Sequence, residues 1–184
     1  MTWIVAAAVA AIAIGAVAIF NRLIRSRNMV REAWSGIDVQ LRRRSDLIPN
    51  LVETVKAYAA HERGVFEEVT AKRATSLSAQ GVAQTASSES QLQGALGRLL
   101  AVAEAYPQLK ADQNFLSLQN ELAEIEDQLQ MARRYYNGTV RDFNIAIQTV
   151  PDVLIAHALG MREEHFFETD PASKAAPTVS LSGA

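Results

Sequence analysis

His61-Glu62 is the first place where residue types and spacing suggest chemistry, because an imidazole followed by a carboxylate is the phosphoacceptor pattern of histidine kinases. Phe66 stands where that pattern needs Pro or Thr, and no Gly-rich segment follows to hold a phosphoryl donor. A solvated histidine is the simpler reading. His61, His157 and His165 form no i, i+3 or i, i+4 pair that would set two imidazoles on one helix face, and Glu164-His165-Glu168 is only a partial metal site. Glu121, Glu124 and Glu126 could face a di-metal centre in a ferritin-like bundle, yet no Glu-x-x-His accompanies them in the same helix, and a charged outer face accounts for them. No Gly-x-Ser-x-Gly, phosphate-binding loop or paired Ser-x-x-Lys is present, so nucleophilic catalysis has no starting residue. Tyr106 and Lys110 alone do not make an acid and a base. The expectation is a protein that is not an enzyme, with no catalytic residue, no metal ligand and no cofactor-binding residue.

Composition narrows the classes further. The chain has 184 residues, 18 Lys and Arg against 20 Asp and Glu, a formal charge of -2, 9 Gly, 5 Pro and no Cys. Without a cysteine thiol there is no zinc-thiolate site, iron–sulfur cluster or disulfide framework. The charge balance offers no surplus of cations for phosphate backbones, which argues against nucleic acid as a partner. Few aromatics, Gly and Pro favour helices over a many-turned β architecture.

The elements that would position any site begin with an apolar segment. Trp3 to Phe20 carries no charge and would span roughly 27 Å as a helix, just enough to cross a bilayer. Ala16-Val17-Ala18 has the form of a signal-peptide cleavage site. Three features favour a retained anchor: no cationic side chain precedes the run, Ile19-Phe20 continues it past the cut, and basic residues follow. Arg22, Arg25, Arg27 and Arg31 flank the segment and, by the positive-inside rule, place the N-terminus outside and the body in the cytoplasm. Their charge also suits anionic lipid. Ala7, Ala11 and Gly15 form a weak small-residue face through which anchors could pack.

Beyond the anchor, apolar residues recur at three-four spacing from Val30 through Trp34, Ile37 and Leu41, then Ile48, Leu51, Val55, Tyr58, Val65 and Val69. Asp46 as a cap ahead of Pro49 predicts that one helix ends near Arg44 and a hairpin follows. The rival is a continuous helix through Pro49, since the phase is unbroken if Arg44 joins the stripe. Ser76 to Ser90, rich in Ser, Ala and Gln, reads as a flexible connection. Ser88 with Gln91 reads as a capping box for a helix bearing Leu92, Ala95, Leu96 and Leu99. Tyr106-Pro107 stops that helix, and Asp112 caps the longest element, whose stripe runs from Phe115 to Ile147 with a stutter after Ala132. Pro151 closes it, and Gly160 caps a short helix. These patterns predict an all-α fold: a transmembrane helix over 1–24, an antiparallel up-and-down four-helix bundle with long helices over 25–168, and a disordered tail over 169–184. A parallel coiled-coil oligomer is the structural alternative.

Trp34-Ser35-Gly36-Ile37-Asp38-Val39-Gln40-Leu41-Arg42-Arg43-Arg44-Ser45-Asp46-Leu47-Ile48-Pro49-Asn50-Leu51 resembles the signature of the bacterial LemA family. Gln91 to Ala111, containing Ala95 to Pro107, and Phe115 to Asn137, ending Ala132-Arg133-Arg134-Tyr135-Tyr136-Asn137, agree with it in order. The resemblance covers roughly residues 20 to 168. It implies an inner-membrane protein with a short outside end and a cytoplasmic four-helix bundle, and it implies no reaction. Magnetosome-membrane relatives point to membrane organisation. The resemblance leaves any general role for His157 in doubt, because relatives more often carry a small or apolar residue there.

One constellation remains. If the first helix ended at Arg44, its turn would lie about 36 Å beyond Phe20, at the same end as the turn near Pro107. Arg42, Arg43, Arg44, Asp46, Asn50, Glu104, Tyr106 and Lys110 would then share a membrane-distal tip, the arginines suited to grip carboxylates or phosphates. The competing account is that these residues lock hairpins. The sequence thus predicts a scaffold or adaptor whose partners are the bilayer, through the N-terminal helix, and an unidentified membrane or cytoplasmic protein, with a homo-oligomer also possible. A ligand-sensing transducer or enzyme with a site at the tip, and a self-assembling membrane organiser, are the alternatives.

Overall fold

The computed structural model describes residues 1–168; the tail expected to be disordered lies outside the described residues. Six helices follow in chain order: α1 (Thr2–Lys56), α2 (Arg63–Ser78), α3 (Gly81–Glu104), α4 (Pro107–Lys110), α5 (Gln113–Gln148) and α6 (Asp152–Ala158). No strand occurs among the described residues, in agreement with the all-α expectation.

Two expectations are corrected. The hairpin after Arg44 does not form, because α1 passes through Pro49 without a break. A proline in a helix interior costs about 3 kcal/mol. Burial offsets it: Arg44, Ser45, Leu47, Ile48, Leu51 and Val52 are all buried, so both sides of the proline are held by packing. The Ser76–Ser90 segment is not a flexible connection either. Only Ala79 and Gln80 separate α2 from α3, and Ser88 lies within α3, its hydroxyl donating to the Thr85 carbonyl at 3.0 Å rather than capping. Gly81, at φ +74°, supplies the left-handed conformation that this short connection requires.

The described chain forms two compact units. The first comprises Met1–Asp46 and Glu121–Phe166. In it α1 and α5 pair antiparallel, as successive contacts show: Arg22 to Asp152, the Trp34 ring 5.5 Å from that of Tyr136, Arg43 to Gln128 and Arg44 to Glu126. Leu23, Val30, Ala33, Ile37 and Leu41 from α1 and Ile125, Leu129, Tyr136, Val140, Phe143 and Ile147 from α5 are buried here. The segment after α6 is fastened to α5 by two reciprocal 2.9 Å bonds between the Asn144 amide and the Glu164 backbone, and by the Tyr136 hydroxyl donating to the His165 carbonyl at 2.9 Å. Gly160, at φ +61°, ends α6 in the left-handed form, with the Met161 N–H bonded to the Ala156 carbonyl.

The second unit contains Leu47–Asn120. Its frame is the α2–α3 hairpin. Arg98 grips Glu68 in a two-pronged ion pair, Lys72 donates to Gln91 at 2.7 Å, and the Ser76 hydroxyl meets Glu89. Thr85, Ala86, Ser88 and Glu89 are buried, so the stretch that suggests a linker is instead a packed part of α3.

Candidate functional site

Polar side chains gather in two places, one in each unit. In the first unit Arg44 is fully buried beside Glu126, and Arg133 is nearly so. Burial and the neighbouring Arg44 cation push the Arg133 guanidinium below its ordinary value, while Glu126 opposes the shift. Glu126 pairs with one buried cation and acts electrostatically on the other, which makes its charge part of how this unit is held together. Arg44 was expected among ligand-gripping residues at a turn; it lies instead in mid-helix with no exposed surface. Its exposed neighbours point elsewhere: Arg42 pairs with Asp38 at 2.9 Å, and Arg43 donates to Gln128 at 3.1 Å. Asp46 is exposed at the end of this unit's share of α1. Arg22 and Arg25 are exposed, Arg27 is half-buried and Arg31 exposed, all within α1.

Tyr136 shows how firmly this unit is closed. Its ring is buried, and burial with the nearby Glu164 carboxylate pushes its hydroxyl up to about 12. It acts as a neutral donor at physiological pH.

In the second unit the turn between α3 and α5 collects the remaining expected residues except Asn50. Glu104 and Lys110 border a cavity of about 240 Å³ together with Leu100, Phe115 and Gln119. Half-buried Tyr106 borders a more open cleft of about 430 Å³, whose apolar part is Val65, Ala101 and Val102 and whose polar rim is Glu62 and Arg98. Asp112 caps α5 as expected, accepting the Phe115 N–H at 2.9 Å. Its second oxygen accepts the Tyr58 hydroxyl at 3.0 Å. The Phe115 N–H, followed by that hydroxyl, lowers the Asp112 carboxyl below its ordinary value, and the Tyr58 hydroxyl is raised in turn, first by this bond and then by the carboxylate's charge. Asn50 is exposed in α1, its carbonyl accepting the Thr54 hydroxyl at 2.8 Å.

His61 falls in the exposed turn between α1 and α2 rather than on a helix. His157 and His165 are exposed, and among the described residues no three His, Asp or Glu side chains converge as metal ligands would. Sequence reasoning missed Glu126 as the partner of Arg44, Arg133 as a second buried cation beside it, Tyr58 as a partner of Asp112, and Asp152 as a partner of Arg22. The first had a signal: Arg44 keeps the apolar phase of α1 unbroken, so a cation had to be buried and needed an anion opposite. The others are contacts across long sequence separations with no local pattern.

The sequence model of the LemA family matches residues 33–181 of this chain. This chain belongs to the LemA family. Magnetosome protein MamQ of Magnetospirillum gryphiswaldense is 27% identical over 179 residues, covering 83% of this chain and 66% of the relative. MamQ 1 of Paramagnetospirillum magneticum is 26% identical with the same coverage. Protein LemA of Metamycoplasma hominis is 28% identical over 150 residues, covering 80% of this chain and 68% of the relative. The chain thus spans just under two thirds of the length of the magnetosome relatives. The LemA-family match takes in both polar gatherings, the buried Arg44–Glu126–Arg133 cluster and the α3–α5 turn.

Proposed function

We propose that this chain is a single-pass membrane scaffold or adaptor that works by binding other proteins at the cytoplasmic face of a bacterial inner membrane and catalyses no reaction. One observation carries the reading. Within the first unit a single helix exposes apolar side chains such as Trp3, Ile4, Val9, Ile12 and Val17, then from Leu23 onward buries one stripe in a folded body. Exposed apolar surface of this length has bilayer as its natural solvent. The body is thereby held by the same helix that crosses the membrane. Arg22, Arg25, Arg27 and Arg31 support an outside N-terminus. The reading entails an up-and-down four-helix body; the antiparallel α1–α5 pair in one unit and the α2–α3 hairpin in the other support it.

The partner surface we favour is the α3–α5 turn of the second unit, carrying Glu104, Tyr106 and Lys110. The cleft beside Tyr106 has an apolar floor and a charged rim, the anatomy of a small interface hot spot. Arg42, Arg43, Asp46 and Asn50 are exposed polar positions that a partner could also reach, whereas Arg44 is withdrawn from the surface. The magnetosome location in the relatives' names makes membrane organisation the context for such a role. Photocrosslinking in cells from Tyr106 and from Arg43, with the anchor intact, tests it. Capture of one and the same protein from both positions is expected. Capture of copies of this chain alone would replace the adaptor with a self-assembling membrane organiser, and an absence of any capture would remove the partner surface.

A further inference from the structure

We propose that α6 is a membrane-surface helix, seated in the headgroup layer with Val150 and Leu154 turned into lipid. The inference rests on reading α1 as a bilayer anchor. Arg22 follows the apolar run ending at Phe20 by about 3 Å of helix rise, and it is bonded to Asp152, the first residue of α6. That contact pins the start of α6 at the edge of the hydrocarbon. Because α6 is 7 residues long, no part of it lies more than about 10 Å from that point, a distance comparable to the polar layer of a bilayer.

The faces of α6 agree with this placement. Asp152 and Ala156, four apart, are buried against the first unit, and Leu154, on the opposite side, is 70% exposed. Val150, just ahead of the helix, is 82% exposed. Large apolar side chains this open to water, beside a transmembrane segment, mark an interfacial element. A second observation comes from α1 itself. Ile12 and Ile14 are more than 70% exposed, but Ile19 is half-buried and Leu23 completely buried, so the body already covers the last turn of the apolar run. Part of the first unit therefore sits at the depth where the anchor enters lipid. Exposed Arg25, one helical turn on, suits anionic headgroups at the same level.

The natural chain has no Cys, which makes single-cysteine labelling direct. Full-length Leu154→Cys and Val150→Cys, labelled with an environment-sensitive fluorophore, are placed in vesicles of phosphatidylcholine and phosphatidylglycerol containing nitroxide lipids of known depth. Val9→Cys reports the anchor. Met131→Cys, exposed on α5 and roughly 25 Å of helix from the Arg22 level, reports the aqueous body. The expected result is quenching at 150 and 154 by shallow nitroxides several-fold above that at 131, with 9 quenched by deep ones. Positions 150 and 154 quenched no more than 131, while 9 is deep, would overturn the inference and leave the anchor standing. Blue-shifted but unquenched labels at 150 and 154 would mean that protein, a second copy or another partner, covers them, which also overturns it. A water-exposed label at 9 would overturn the anchor reading and this inference together.

Discussion

Arg44 shows what one residue decides. A cation at that position keeps α1's stripe in phase, and its burial calls for an anion, which Glu126 supplies although the Arg133 guanidinium stands close enough to repel Arg44. Removing the Glu126 charge takes from the buried Arg44 the carboxylate it is paired with. Glu126→Gln is therefore expected to destabilise the fold by about 3 kcal/mol, read by urea unfolding, while exposed Glu121→Gln stays near wild type. Asp112 makes a second case, with a pH signature. Its carboxyl in the folded chain lies below the ordinary 3.8, chiefly through the Phe115 N–H and then the Tyr58 hydroxyl. The folded state thus holds this proton less tightly than the unfolded chain. The contribution is complete above pH 3.8 and is lost as the pH falls through the lowered value. Asp112→Asn should melt below wild type at neutral pH, and the gap in melting temperature should close in acid; a constant gap would deny the carboxylate its role. Of these residues, Asp112 was legible as a cap because capping is local. The partner Tyr58 was not, since it stands 54 residues away in sequence.

Elements differ from expectation where local propensity met packing. Asp46 and Pro49 form a good helix start by local chemistry, and the Ser- and Ala-rich stretch around Ser88 forms a good linker. Both are overruled by burial on each side: Ser45, Leu47 and Ile48 at the first, Thr85, Ala86 and Glu89 at the second. Tertiary contacts outweigh a capping preference of about 1 kcal/mol. Hydrogen exchange separates the two descriptions. Amides of Ile48 and Leu51–Val55, and of Ala86–Ser90, should be protected like those of Leu96–Leu99; rapid exchange across Arg44–Leu51 would restore the hairpin. The α5 helix, by contrast, followed its stripe closely, and Phe115, Leu122, Ile125, Leu129, Tyr136, Val140, Phe143 and Ile147 are all buried. A long amphipathic period with a real cap leaves few alternatives.

At the scale of the molecule, the exposed apolar segment of α1 is the feature on which the proposed membrane anchoring turns. Two charges in the exposed apolar segment of α1 should defeat it, because each costs roughly 2.5–3.5 kcal/mol at a bilayer centre. Val9→Arg with Ile12→Arg is expected to shift the protein from the membrane pellet to the soluble fraction while helical circular dichroism is retained. Retention in the pellet after alkaline extraction would contradict a single bilayer-spanning anchor. By itself the sequence determined that the protein is helical, that it carries an apolar segment followed by arginines, that Asp112 caps α5, and that the chain resembles the LemA family. Each follows from composition, near-neighbour spacing or long ordered motifs, which need no knowledge of distant residues. Only the tertiary structure decided that α1 runs on through Pro49, that Glu126 is the anion beside Arg44, and that Asp152 is held by Arg22 just past the apolar run. Those outcomes depend on which buried surfaces meet across 82 to 130 residues of chain, and no local pattern records such meetings.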